Sequence, residues 1–150
     1  MTRYRSDRFK HEVVLGGRIL LSLLFFIFGW HKLANYSETV AYLGQEGTPF
    51  PNLAGMIAII VEFLGSTALL AGIFTRALAI VFVLYTFATA LIGHHYWTMT
   101  GATAADNMEH FFKNLSIVGG FLLLYVTGPG TYSLDAMPEH RDQLRFHEPR

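Results

Sequence analysis

Apolar and polar positions alternate along this chain in long blocks, four of which are hydrophobic enough to cross a bilayer. Residues 13–30 form the first, with Arg18 near its start; residues 53–74 form the second, with Glu62 near its midpoint; residues 77–92 form the third and carry no charge. The fourth is predicted to begin near Asn107, because Asp106 and Glu109 have capping-box spacing, and to run through His110, Lys113, Asn114, Gly119 and Gly120 to Thr127. At roughly 1.5 Å per helical residue, runs of this length match the ~30 Å hydrocarbon core of a bilayer. Between the first two runs the chain is mixed. Tyr36, Val40 and Leu43 share one helical face and Asn35 with Glu38 can cap it, so a short helix at the outer interface is expected, ended by Gly47, Pro49 and Pro51. Thr75 and Arg76 read as a tight turn, residues 98–105 as a small polar loop, and Gly128, Pro129 and Gly130 as the stop of the fourth helix. The predicted fold is all-α: an integral membrane four-helix bundle with a short interfacial helix between the first and second spans.

Composition supports the membrane class. Of 150 residues, 52% are hydrophobic and 15% charged, and the mean hydropathy is +0.36; a soluble domain carries about 25% charged residues. The formal net charge of zero conceals an uneven distribution. If both ends of the chain and the Arg76 turn lie on one side, that side holds all but Lys32 and Lys113 of the 11 Lys and Arg residues. By the positive-inside rule that side is the cytoplasm. The expected organisation is therefore a basic cytoplasmic tail over residues 1–12, a transmembrane domain over 13–130 and a polar cytoplasmic tail over 131–150. In this reading both termini are cytoplasmic. The first run lacks a small-residue cleavage site and exceeds the usual signal-peptide core, so it is read as a retained span. With no cysteine, the chain offers no disulfide, thiolate metal site or CxxC redox motif, and redox chemistry would need a cofactor or a partner.

The polar residues within the runs are the candidate chemistry. Insertion scales penalise a charge at the bilayer centre by roughly 2.5–3.5 kcal/mol, so Glu62 must be neutral, paired or facing water. Gly55, Ala58, Gly65, Ser66, Leu69 and Gly72 recur on its face, a pattern that lets helices approach closely, so Glu62 is expected to point into the bundle. His31, Lys32, His94, His95, Glu109, His110, Lys113 and Asn114 all fall in the outer third. A ligand site built from Glu62, His31, His94, His110, Lys113 and Asn114 is one reading, in which Glu62 and a histidine exchange protons with a bound molecule. The plainer reading is a structural ion pair, with Arg18 or Lys113 as the partner of Glu62. A metal or haem site is not favoured: His94 and His95 are adjacent and point about 100° apart on a helix, no HxxxH pair accompanies them, and histidines beside Tyr96 and Trp97 are ordinary interfacial residues. Phosphate loops, dinucleotide fingerprints and a basic stripe for nucleic acid are absent from the sequence.

The segments GRILLSLLFFIFGWHKL, LLAGIFTRALA and FFKNLSIVGGFLLLYVTGPGTYSLD, with the Glu62 helix between them, resemble the DoxX family of small four-span membrane proteins over about residues 14–135. The resemblance implies a four-helix bundle in a bacterial inner membrane and an association with redox physiology, since the family is named for a subunit linked to thiosulfate and quinone oxidoreduction. Two function classes follow. In the first the chain is an accessory component of a membrane oxidoreductase system, binding a quinone or a small sulfur compound around Glu62 and working with a membrane redox partner. In the second it is a non-catalytic small-molecule or lipid binder, or an assembly protein, in which Glu62 only holds the bundle together. The lipid bilayer is a partner in both, and a homo-oligomer fits either.

Overall fold

The buried positions of each long run recur at intervals of three and four residues, so each helix turns one narrow seam inward and leaves the rest of its circumference to lipid. The computed structural model describes residues 2–137, with side chains from Phe9 onward. Arg141, Arg145 and Arg150, and the side chains of Arg3, Arg5 and Arg8, on which the orientation rests in part, lie outside the described residues. Four helices are long and apolar enough to cross a membrane: Phe9–Ala34, Pro51–Ala71, Thr75–Thr98 and Gly101–Thr127. The first belongs to α1 (Thr2–Ala34), which is already helical through the basic segment. A short helix, α2 (Tyr36–Gln45), follows where the interfacial helix is expected. The second span comprises α3 (Pro51–Ile59), a π-helical stretch (Ile60–Gly65) and α4 (Ser66–Ala71). Helix α5 (Thr75–Gly93) and a 3₁₀ turn (Tyr96–Thr98) make the third, and α6 (Gly101–Thr127) the fourth.

The seams pack in layers. In α1 they are Arg18, Ser22, Phe25 and Gly29; in the second span Gly55, Ala58, Glu62, Ser66, Leu69 and Gly72; in α5 Thr75, Ala79, Phe82, Thr86 and Ala90; in α6 Val118, Phe121, Leu124 and Gly128. Helix α1 packs between the second span and α6, and α5 lies chiefly against α6. The central layer is a cluster of three phenylalanines: Phe82 stacks on Phe121 at 4.9 Å, and Phe25 meets Phe82 edge-on at 4.7 Å and Phe121 at 5.6 Å. Gly65 lies under the Phe82 ring, where a Cβ would stand 3.2 Å from it. Lipid tails are as apolar as these rings, so the layer holds the helices together by close contact and not by expulsion of water.

Three local expectations change. The fourth helix starts at Gly101, about six residues before the position predicted from Asp106 and Glu109. Ala102, Ala104 and Ala105 are strong helix formers, and Asn107 Nδ2 already donates to Thr103 O within the helix at 3.0 Å, so the capping-box spacing falls inside a formed helix. Asn35 occupies the N-cap position of α2, but its amide donates back to His31 O at 3.0 Å and does not cap. The turn between the second and third spans lies at residues 72–74, with Thr75 already helical. Gly72 takes φ of 72° there and closes α4, its N–H bonding Leu69 O at 3.0 Å while Ile73 N–H bonds Ala68 O at 2.9 Å.

After α6 the chain folds back over this turn. Asp135 accepts from Phe74 N and Thr75 N, both at 2.9 Å, and caps α5; its own N–H donates to Gly72 O at 2.9 Å. Residues 131–137 therefore pack on the bundle.

Candidate functional site

Glu62 sits within the π turn, where each hydrogen bond closes over one residue more than in an α-helix and the helix locally widens. The hydroxyls that follow satisfy the carbonyls this disturbs. Ser66 Oγ donates to Glu62 O and to Phe63 O, and Thr67 Oγ1 donates to Phe63 O at 2.7 Å. On α1, Gly29 is pressed directly onto this stretch: a Cβ there would stand 2.5 Å from Phe63 N and 2.7 Å from Glu62 C. Only glycine permits that approach, and the approach brings the next turn of α1 over the carboxylate.

That next turn carries Lys32. Helical side chains lean toward the N-terminus, so Lys32, three residues beyond Gly29, reaches back along α1. Its ammonium lies 2.6 Å from Glu62 Oε2 and 5.8 Å from the centre of the Phe28 ring. The other carboxylate oxygen, Oε1, accepts from Tyr85 OH at 2.5 Å. The pairing with Tyr85 follows from the hairpin: Glu62 is ten residues before Gly72 and Tyr85 ten residues after Thr75, so both lie about 15 Å from the 72–74 turn. That is about half of the ~30 Å hydrocarbon thickness. The Glu62 side chain is 7% exposed and that of Lys32 28%. Phe63, next to Glu62 in the chain, packs against Phe26 at 5.2 Å and Trp30 at 5.6 Å.

Three helices thus contribute one hydrogen-bonded chain, Lys32–Glu62–Tyr85, buried at the carboxylate and open at the ammonium. The ion pair satisfies itself, yet Lys32 keeps further N–H donors and the Tyr85 oxygen can still accept. Thr86, next to Tyr85, is buried and its hydroxyl has no partner among the described residues.

The expected partners of Glu62 are placed elsewhere. Lys113 stands one position off the buried seam of α6 and pairs with Glu109 at 2.6 Å on the exposed face. Arg18 lies about 16 Å along α1 from Gly29, at the opposite end, and donates to Pro129 O at 2.5 Å and Tyr132 O at 2.6 Å. His94 and His110 do meet, stacked at 5.1 Å with His94 Nδ1 3.1 Å from Asn107 Oδ1, but they lie about 12 Å further out than Tyr85 and Val118. His31 is exposed, and Asn114 is half-buried on the α6 seam one turn beyond Val118. Of the proposed ligand set, only Glu62 belongs to this cluster. Tyr85 is not among the candidates the sequence pattern offers, although its equal distance from the turn is a readable signal, and Lys32 falls in the outer-third set without being an expected partner of Glu62.

The DoxX family model matches residues 13–95, a segment that contains Arg18, Lys32, Glu62 and Tyr85. Inner membrane protein YphA of Escherichia coli (strain K12) is 48% identical over 123 residues, covering 82% of this chain and 88% of that protein. Inner membrane protein YqjF of the same organism is 40% identical over 124 residues, covering 83% and 90%. A more distant similarity, 25% over 132 residues and 35% of its length, is to the ER-derived vesicles protein ERV29 of Saccharomyces cerevisiae. No solved structure matches the chain.

Proposed function

The chain belongs to the DoxX family, and we propose that it binds a small ligand, a quinone or a small sulfur compound, at the Lys32–Glu62–Tyr85 cluster as an accessory component of a membrane redox system. The names of its relatives support an inner-membrane location, and the Lys and Arg distribution supports cytoplasmic termini. One observation carries the reading: a carboxylate at mid-depth is joined to a phenol on one side and on the other to an ammonium that remains partly exposed. Ionisable groups at that depth are functional candidates by default. A ligand docking against the exposed part of Lys32 would lie beside the Phe28 ring, whose centre is 5.8 Å from the ammonium and which suits a flat, apolar body. The hydrogen-bonded chain then gives a proton a path between ligand and Glu62.

A second reading, that the cluster is a structural joint in a non-catalytic binder or assembly protein, is favoured by the satisfaction of both Glu62 oxygens. One experiment separates them. The purified chain in lipid nanodiscs is extracted and analysed by mass spectrometry, then titrated with a short-chain benzoquinone and with thiosulfate. Under the ligand reading Glu62→Gln accumulates normally but loses binding of the probe that the parent takes. If the parent binds neither probe, its extract holds no small molecule, and Lys32→Met with Glu62→Gln keeps full complementation of a deletion strain, the structural joint is the correct reading.

A further inference from the structure

Buried polar atoms without a protein partner concentrate at the end of the bundle away from Lys32. Among the described residues these atoms are Arg18 Nε, Ser22 Oγ, Thr75 Oγ1 and Thr86 Oγ1, and the first three belong to one region. Ser22 is one turn along the same face of α1 from Arg18. Thr75 opens α5 beside Gly72, against which Arg18 is also packed: a Cβ on Gly72 would stand 2.7 Å from Arg18 Nη1. Arg18 is 1% exposed, and Ser22 and Thr75 are fully enclosed at 0%.

The nearest polar groups are each already engaged with another partner. The two terminal nitrogens of Arg18 are engaged by Pro129 O and Tyr132 O, and both oxygens of Asp135 are engaged by Phe74 N and Thr75 N. What remains on these three side chains is donor capacity: the Nε–H of Arg18, the second N–H on each of its terminal nitrogens, and two hydroxyls that can donate. A species bound among them must accept hydrogen bonds. It must also be small, since Arg18 and Ser133 already fill the space beside Gly72 that a single methyl group would need. A polar site with two to four partners is what a buried water requires, and donors around a guanidinium also suit a halide, against which the nearby Asp135 carboxylate acts.

We propose that Arg18, Ser22 and Thr75 enclose one small hydrogen-bond acceptor, a water molecule or a chloride ion, which completes the junction where the helix ends meet the returning 128–135 segment. This site is independent of the Glu62 cluster and has no bearing on whether a ligand binds there.

The test uses the full chain in nanodiscs, with thermal midpoints measured in chloride and in gluconate at equal ionic strength. Ser22→Ala and Thr75→Val preserve shape and remove one donor each, so each is expected to lower the midpoint by several degrees. If the hydroxyls are orphans, removing them relieves a burial penalty; midpoints that hold or rise would overturn the proposal. Ser22→Thr and Thr75→Ser keep the donor and are expected to stay near the parent. A loss in them equal to that of the apolar variants would assign the effect to packing and overturn it too. A parent midpoint that falls in gluconate, with no such response in Thr75→Val, identifies the occupant as chloride. Equal parent midpoints in the two salts, with the apolar variants still destabilised, identify it as water.

Discussion

At Glu62 a carboxylate near mid-depth meets an ammonium and a phenol from two other helices, whereas at Arg18, about 16 Å away along α1, a guanidinium meets main-chain carbonyls. The first arrangement rests on three side chains and could be exchanged as a set without rerouting the backbone. The second rests on where the chain goes after α6, since only a segment returning over the bundle presents the carbonyls of Pro129 and Tyr132 to Arg18. Charge is neutralised by a directly bonded partner in one case and held by backbone dipoles in the other, with the Asp135 carboxylate acting at longer range. A buried polar group can therefore specify a helix interface, as Glu62 does, or the path of a loop, as Arg18 does.

The largest effect should come from breaking the Glu62 pair on one side. Lys32→Met leaves an uncompensated carboxylate, and losses of roughly 3–5 kcal/mol are typical when one member of a buried pair is removed. Reversible unfolding in mixed micelles should show that loss, and adding Glu62→Gln should recover most of it; a double variant as unstable as the single one would deny the pair its role. Arg18→Met strands two neutral carbonyls and removes the cation that acts on Asp135, whose carboxylate keeps its two main-chain donors. With each unsatisfied group worth about 1–3 kcal/mol, a loss of about 2–3 kcal/mol is expected, with faster proteolysis within residues 128–137. If Arg18→Met proves more damaging than Lys32→Met, the contrast drawn between the two sites is wrong. Tyr85→Phe removes one hydrogen bond to a charged group and should lose about 1.5–3 kcal/mol in the parent, but only about 0.5–1 kcal/mol in the Lys32→Met, Glu62→Gln background, where the introduced amide oxygen is a neutral acceptor. Equal losses in both backgrounds would place Tyr85 outside the cluster. The smallest effect concerns orientation. Cysteines at exposed Thr103 and Met137 should leave stability unchanged, and an impermeant reagent added to intact cells should label only the cysteine at position 103. Labelling at 137 first would put Arg18 at the outer end.

Much of the fold is readable in the chain, because spans of about 20 apolar residues leave little choice of structure. The interfacial helix, the inward face of Glu62 and the stop at Gly128 follow from short-range pattern. The pairing of Glu62 does not, since it depends on how deeply each helix sits and how it is rotated. Lys113 was a reasonable partner by depth, yet one position of rotation off the α6 seam turns it to the outside. Lys32 reaches the site only because Gly29 lets two backbones nearly touch, which no periodicity reports. The role of Arg18 depends on carbonyls more than 100 positions later in the chain, and main-chain acceptors leave no trace in residue identity.

The π turn at Ile60–Gly65 has a consequence for insertions and deletions. Such a turn accommodates one residue more than an α-helical turn would, so the second span is in effect a regular helix carrying one supernumerary residue. Removing any one residue between 60 and 65 need not break the span; it would let the helix close into uniform α geometry. The two halves would keep their phase, because the wide turn already absorbs the extra residue, and only the side chains within the turn would change position. A close relative lacking that residue would keep the same hydropathy profile and four spans while presenting a different side chain to Lys32, so a change of ligand or partner could arise in one genetic step without any substitution at Glu62.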